Sequence, residues 1–421
     1  MVFGLLAGLM LLPYALYPWG VLATLVIFGF SQAVWYAAVR GFKPLRRMML
    51  FGLTLTFALF FGELFARRQW STTPYKLIAT QSSGTKSLYR KDPLLGHVQE
   101  PNFSGRFQHP DYGNELFETN SEGFRGIEWP TSARGEEARV LLLGDSTTVG
   151  FGVSESETIS HQLGKQLAWT LGDVVTFNTG IAGYGPRHEL LVLQRLAQRL
   201  HPTHVVVTFY DGNDLQNSRD QFALEQAFTA QANLPKVQEP NPGPGRGPSL
   251  LSRAYWSHRS ALYNRIETAL LPWLSETGIF KHHALQDLFE RCRFQATPTT
   301  LEEVDLAAEA VLAMAQLCED MGAKFLFVRM PMRIQTEVPS FEQVIGVYVD
   351  NPSEHDRTLP GRTMLEFCAE HGIATLDLLP IFETTERGSN PHYYLEGHPN
   401  ARGNRVAAQH IATRFLEIQR E

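Results

Sequence analysis

No charged side chain occurs between Val2 and Val39, and a second uncharged stretch runs from Met48 to Gly62. Stretches this apolar cannot form a water-facing surface, so they confine the start of the chain to a membrane or a buried core. The second continues through Glu63 to Ala66, close to the ~20 residues that cross a hydrocarbon layer. The first exceeds one span and is broken by Pro13, Pro18 and Gly20, which predicts either one long kinked helix or a short hairpin plus a helix. Two spans and three both remain open. A buried helical hairpin of a soluble protein is the competing reading, but soluble core helices rarely run this far without a charge. Met1-Val2-Phe3-Gly4 lacks the basic start of a cleaved secretory signal, so the segment is read as retained.

Between the two stretches, Arg40, Lys43, Arg46 and Arg47 form a short basic loop, the kind that stays cytoplasmic. Everything after about Arg67 is then expected outside the cytoplasm, in the periplasm or at the cell surface. Membrane lipid is an expected partner, and the N-terminal helices could dock other membrane proteins. The formal charge of −6 hides an asymmetry: six cations against Glu63 make the first 70 residues +5 and leave the rest at −11. An acidic globular part repels phosphate backbones, which excludes nucleic acid as a partner class. Cys292, Cys318 and Cys368 are odd in number and lack CxxC spacing, so neither a zinc site nor a disulfide framework is indicated, while a single disulfide stays open. His188, His282 and His283 have no spaced acidic or cysteine partner and are read as surface or packing residues, with no metal and no cofactor implied.

Residues 1–70 are expected to form the anchor. Residues 71–137 then supply a linker and a small irregular β extension, and residues 138–421 the main domain. In the extension, short apolar pieces alternate with turn residues such as Asp92-Pro93-Leu94-Leu95-Gly96 and Asn120-Ser121-Glu122-Gly123-Phe124-Arg125. From Ala138 onward, apolar runs alternate with helical patterns, the signature of a parallel sheet flanked by helices. Strands are expected at Arg139–Leu143, Val174–Asn178, His204–Tyr210, Lys324–Met330 and Ile373–Leu376. Helices are expected at Thr158–Leu171, His188–Arg199, Leu301–Met321, Pro360–His371 and Asn404–Ile418. Two insertions, 215–300 and 333–357, follow the third and fourth strands. At the carboxyl ends of parallel strands they are candidate substrate-recognition or lid elements.

The first strand runs directly into Gly144-Asp145-Ser146-Thr147-Thr148, which presents a serine at the edge where parallel sheets do chemistry. Thr148 stands where a GxSxG elbow would have its second glycine. Three further blocks follow in order: Asn178-Thr179-Gly180-Ile181-Ala182-Gly183 after the second strand, Asp211-Gly212-Asn213-Asp214 after the third, and Glu396-Gly397-His398-Pro399-Asn400 before the last helix. With these blocks the chain resembles the SGNH/GDSL hydrolases from about Arg139 to Ala412, apart from the two insertions. The resemblance implies an α/β, flavodoxin-like three-layer parallel sheet, here preceded by transmembrane helices and the small β extension.

It also implies roles. Ser146 is the nucleophile and His398 its base, since a serine hydroxyl attacks only when an imidazole takes its proton. The oxyanion hole is expected from the backbone N–H of Ser146, the backbone N–H of Gly183 (with Gly180 as the less favoured glycine) and the Asn213 amide. Asp211 replaces the first glycine of the family's third block. Leu395 stands where the family usually has its acid, so Glu396, two residues before the histidine, is the best available third member. The alternative is a Ser/His dyad oriented by a backbone carbonyl. Asp145 and Asp214 are read as turn and cap residues. The implied function is a serine esterase that removes an O-acyl group, an O-acetyl above all, from a surface glycan or glycolipid by way of an acyl-serine. An O-acyltransferase using the same site, or a non-catalytic accessory subunit of a membrane assembly, are the alternatives.

Overall fold

The computed structural model describes residues 43–69, 76–79, 88–109, 113–130, 137–232, 283–384, 390–394 and 397–420. The expected first membrane stretch, residues 233–282 of the first expected insertion, and Glu396 lie outside the described residues. The chain divides into two compact units, one of Met1–Lys76, Gln108–Pro110 and Glu239–Leu271, the other of the remaining residues.

In the second unit, five parallel strands form the central sheet: β6 (Ala138–Gly144), β7 (Val174–Asn178), β8 (His204–Tyr210), β9 (Lys324–Met330) and β10 (Ala374–Asp377). Their spatial order is β7-β6-β8-β9-β10, the doubly wound order in which the first strand sits between the second and third. Each β6 residue chooses a face by the two-residue period of a strand. Leu141 and Leu143 pack with Phe177, Val207 and Phe327 against helices α4 (Pro186–Leu200), α7 (Pro298–Asp320) and α10 (Leu359–Glu370). Val140 and Leu142 pack with Val206 and Val328 on the other face, against α3 (Ile159–Leu171) and α12 (Ala401–Ile418). Both faces are covered, which is why these strands read as near-continuous apolar runs.

Ahead of the sheet come β1 (Lys76–Ala79), the hairpin β2 (Tyr89–Asp92) and β3 (Gly96–Gln99), then β4 (Ser104–His109) and β5 (Gly113–Glu118). β1, β4 and β5 make a three-stranded sheet in the order β1-β4-β5. This extension shares a core with the main domain: Leu88, Phe103 and Phe117 pack with Val149, three residues beyond Ser146. The first insertion opens with α5 (Asp214–Ala232) and closes with α6 (His283–Arg291). The second forms α8 (Arg333–Thr336) and α9 (Val338–Tyr348), and α11 (Leu379–Phe382) follows β10. The insertions meet, with Leu288, Phe289 and Cys292 packing on Phe341, Val344 and Ile345. Cys292, Cys318 and Cys368 are buried free thiols, which closes the disulfide left open by their number.

In the first unit, α1 (Lys43–Gln69) carries the second uncharged stretch. Of the transmembrane helices expected over 1–70, only the second stretch lies among the described residues, and no helix among these is long and apolar enough to cross a membrane. Yet α1 turns apolar side chains outward, with Phe51 71% exposed and Phe61 61%, beside Leu55, Phe57 and Phe65.

Candidate active site

A short helix, α2 (Ser146–Val149), begins immediately after β6 and carries Ser146 at its first position. Asp145 caps it: Oδ1 accepts from the Thr147 N–H at 2.8 Å and from the Thr147 hydroxyl at 2.9 Å. The cap reading of Asp145 therefore holds, and its second oxygen does more, lying 3.3 Å from Ser146 Oγ. Asp145 is fully buried, and burial pushes its carboxyl upward, while the Thr147 hydrogen bonds and the nearby His398 charge pull it back.

His398 reaches the same hydroxyl from the opposite end of the sequence, with Nε2 2.9 Å from Ser146 Oγ. Local pairing fixes its loop. Tyr394 N–H donates to the His398 carbonyl at 2.9 Å, Tyr393 bridges Pro399, and Asn400 caps α12 by accepting from the Arg402 and Gly403 N–H groups. Two contacts tie this loop to the serine loop. The Tyr394 hydroxyl donates to Gly152 O at 2.8 Å, and the Phe151 ring meets the His398 ring edge-on at 5.8 Å.

The two glycines after β7 differ. A Cβ on Gly180 would fall on the backbone of Thr148 and Val149, so its bareness serves packing between the two loops. Gly183 has φ +80° and is exposed, and a Cβ there would meet the His97 ring carbon Cε1 at 3.8 Å, an ordinary contact. Tyr184 N–H donates to Ile181 O at 3.1 Å, which makes 181–184 a turn with glycine at the position that needs positive φ. Asn213 follows β8, and its carbonyl accepts from Asn217 N–H at 2.8 Å to start α5. Because β7, β6 and β8 are neighbours, Gly183, Ser146 and Asn213 lie on segments that leave the carboxyl ends of three adjacent strands, the serine's in the middle. Asp214 folds back, its Oδ2 accepting from Tyr210 N–H at 2.8 Å.

Glu189 on α4 and Asp214 are completely buried near Asp145. Burial first, then the charges of neighbouring carboxylates, pushes both well above the ordinary range, so their neutral forms are favoured. His188 is a packing residue, as read: it stacks on Tyr184 at 4.5 Å, and burial lowers it to about 3, which keeps it neutral. Among the described residues, no group of His, Cys, Asp and Glu could hold a metal ion.

A family model described as GDSL-like lipase/acylhydrolase matches residues 142–406, more than half the chain, and takes in all four blocks. The chain belongs to this family. It is a serine hydrolase of the SGNH type. Among solved structures, it is similar to TesA (14% identity, 66% of this chain and 99% of that one, TM-score 0.35). It is also similar to a psychrotrophic esterase, EstA, from Pseudoalteromonas sp. (11%, 67% and 99%, 0.33). A third is a two-domain esterase active on acetylated mannans (11%, 68% and 51%, 0.35). Likenesses at this level carry no argument about substrate. No curated protein matches the chain.

In this GDSL-like hydrolase the site depends on residues the motifs do not include. Arg125, from the turn after β5, is almost fully buried and donates to the carbonyls of Val149 at 2.9 Å, Gly150, and Val153 at 2.5 Å. Its guanidinium lies 4.7 Å from the centre of the Phe117 ring. The extension thus holds the loop behind the nucleophile. Asp211, where the family has glycine, has a buried partner in Arg329 of β9, which donates to Oδ2 at 2.9 and 2.7 Å. Gln335 adds a third donor at 2.9 Å. A charged residue inside the apolar run Lys324–Met330 was the available signal, since a buried arginine requires an acid.

Proposed function

We propose that the protein is a membrane-anchored esterase, outside the cytoplasm, that removes an O-acyl group, above all O-acetyl, from a surface glycan or glycolipid. The observation that carries the esterase chemistry is the 2.9 Å contact between Ser146 Oγ and His398 Nε2. That distance lets the imidazole take the hydroxyl proton as Oγ attacks an ester carbonyl. The tetrahedral oxyanion is met by the N–H groups of Ser146 and Gly183 and by the Asn213 amide. Collapse expels the alcohol, which takes its proton from His398, and leaves an acyl-serine. A water activated by His398 then releases the acid. A sugar hydroxyl in place of that water would give the acyltransferase alternative. A fluorophosphonate should label the full-length wild-type protein at Ser146, as mapped by peptide mass spectrometry. Absence of labelling on folded protein would overturn the esterase reading.

Anchoring through residues 1–70 is supported by the uncharged run Val2–Val39, by the cations that follow it, of which Lys43, Arg46 and Arg47 lie at the start of α1 and not in the loop expected there, and by the outward apolar face of α1. Placement outside the cytoplasm in turn favours an acylated envelope glycan or glycolipid as substrate. A reporter fused after Ser71 should be active only outside the cytoplasm, and one inserted within 41–45 only inside. The reverse pattern would reject this orientation.

A further inference from the structure

His97 lies on the β3 strand of the extension, outside every motif of the family. Its Nε2 is 2.9 Å from the carbonyl oxygen of Ala182. A carbonyl only accepts, so this nitrogen carries the proton and donates. The Ala182 carbonyl and the Gly183 N–H belong to one peptide unit, which is planar and trans, so fixing one end fixes the other on the opposite side. This peptide is also the central one of the turn 181–184, the unit whose flip interconverts type I and type II turns; the φ of +80° at Gly183 is that of type II. His97 is itself held. The Tyr184 hydroxyl donates to its carbonyl at 2.6 Å, its N–H donates to Leu95 O at 2.7 Å, and its ring packs edge-on to Tyr89 at 5.1 Å.

We infer that His97 is a positioning residue that locks the Ala182–Gly183 peptide with its N–H directed to the oxyanion, so that the β2–β3 hairpin completes the catalytic site. The inference rests on the esterase reading above. Besides setting direction, a donor on the carbonyl polarises the peptide and strengthens its N–H as a donor. The effect belongs to the transition state, where the oxyanion exists, and so falls on kcat and not on KM.

The test uses the full-length protein, p-nitrophenyl acetate as substrate, and the two variants His97→Gln, which keeps a donor of similar reach, and His97→Leu, which removes it. Loss of a whole oxyanion donor costs about 100- to 1000-fold, so a misdirected one should cost at least roughly tenfold. His97→Leu should lower kcat by that factor with KM within about twofold, and His97→Gln should stay within about threefold of wild type. Equal losses in both variants, or wild-type kcat in His97→Leu, would overturn the role. If His97→Leu does not fold, Tyr184→Phe, which frees the His97 carbonyl, should lower kcat in the same direction by a smaller factor, and full activity there overturns the role instead. A wild-type protein that fluorophosphonate labels at Ser146, beside an unaffected His97→Leu enzyme, would reject the inference alone. Unlabelled wild type would reject the esterase reading and this inference with it.

Discussion

Ser146→Ala should abolish hydrolysis of short-chain esters, a loss of at least roughly 10,000-fold, while the protein stays folded. The hydroxyl is the atom on which the site converges, 2.9 Å from His398 Nε2 and 3.3 Å from Asp145 Oδ2. It can give its proton to only one of them at a time, and the shorter contact selects the imidazole. Alanine removes this donor and nothing the fold needs. Asp145 still caps α2 through the Thr147 N–H and hydroxyl, and His398 is a partly exposed residue. The stability change should stay near the ~1 kcal/mol of one hydrogen bond. Turnover is measured on purified full-length protein beside its melting temperature. An Ser146→Ala enzyme with wild-type turnover would remove Ser146 as nucleophile.

The sheet and the motif residues were legible in the sequence for a common reason. His204–Tyr210 and most of Lys324–Met330 are buried on both faces and Val174–Asn178 is half-buried at the sheet edge, so each is an apolar run with turn residues at its ends, and their bounds coincide with the strands observed. Ser146, Gly183, Asn213 and His398 lie at the ends of such runs or just ahead of a capped helix. The helices expected from His188 and Leu301 begin two and three residues earlier, at Pro186 and Pro298, because proline fits the first turn, where its missing N–H costs nothing. The supports of the site were not legible, because they depend on contacts distant in sequence. His97 meets Ala182 across 85 positions and Arg329 meets Asp211 across 118. Arg125 looks like an ordinary turn cation until the fold buries it under three carbonyls. The departure of Asp211 from the family glycine acquires its reason only from Arg329.

The orientation of His398 separates the two forms of the machinery. If Glu396 is the third member, its carboxylate holds the imidazole tautomer that presents a basic Nε2 to Ser146 and stabilises the imidazolium formed as the serine proton leaves. The acid of such a triad is worth up to ~10,000-fold. Glu396→Gln should then lower kcat by at least about a hundredfold with little change in KM, since the interaction strengthens only in the transition state. If a backbone carbonyl orients the ring, the same substitution should cost less than about tenfold, as for a nearby surface charge. Asp145 softens neither expectation. Its carboxylate lies close enough to His398 for their charges to interact, but Oδ1 caps α2, Oδ2 faces Ser146 Oγ, and Glu396→Gln leaves both contacts untouched. His398→Ala sets the scale, because it removes the base itself and should match Ser146→Ala. All three are compared on protein shown to be folded. Near-normal turnover in Glu396→Gln beside an inactive His398→Ala enzyme would reject the triad and leave the Ser146–His398 dyad.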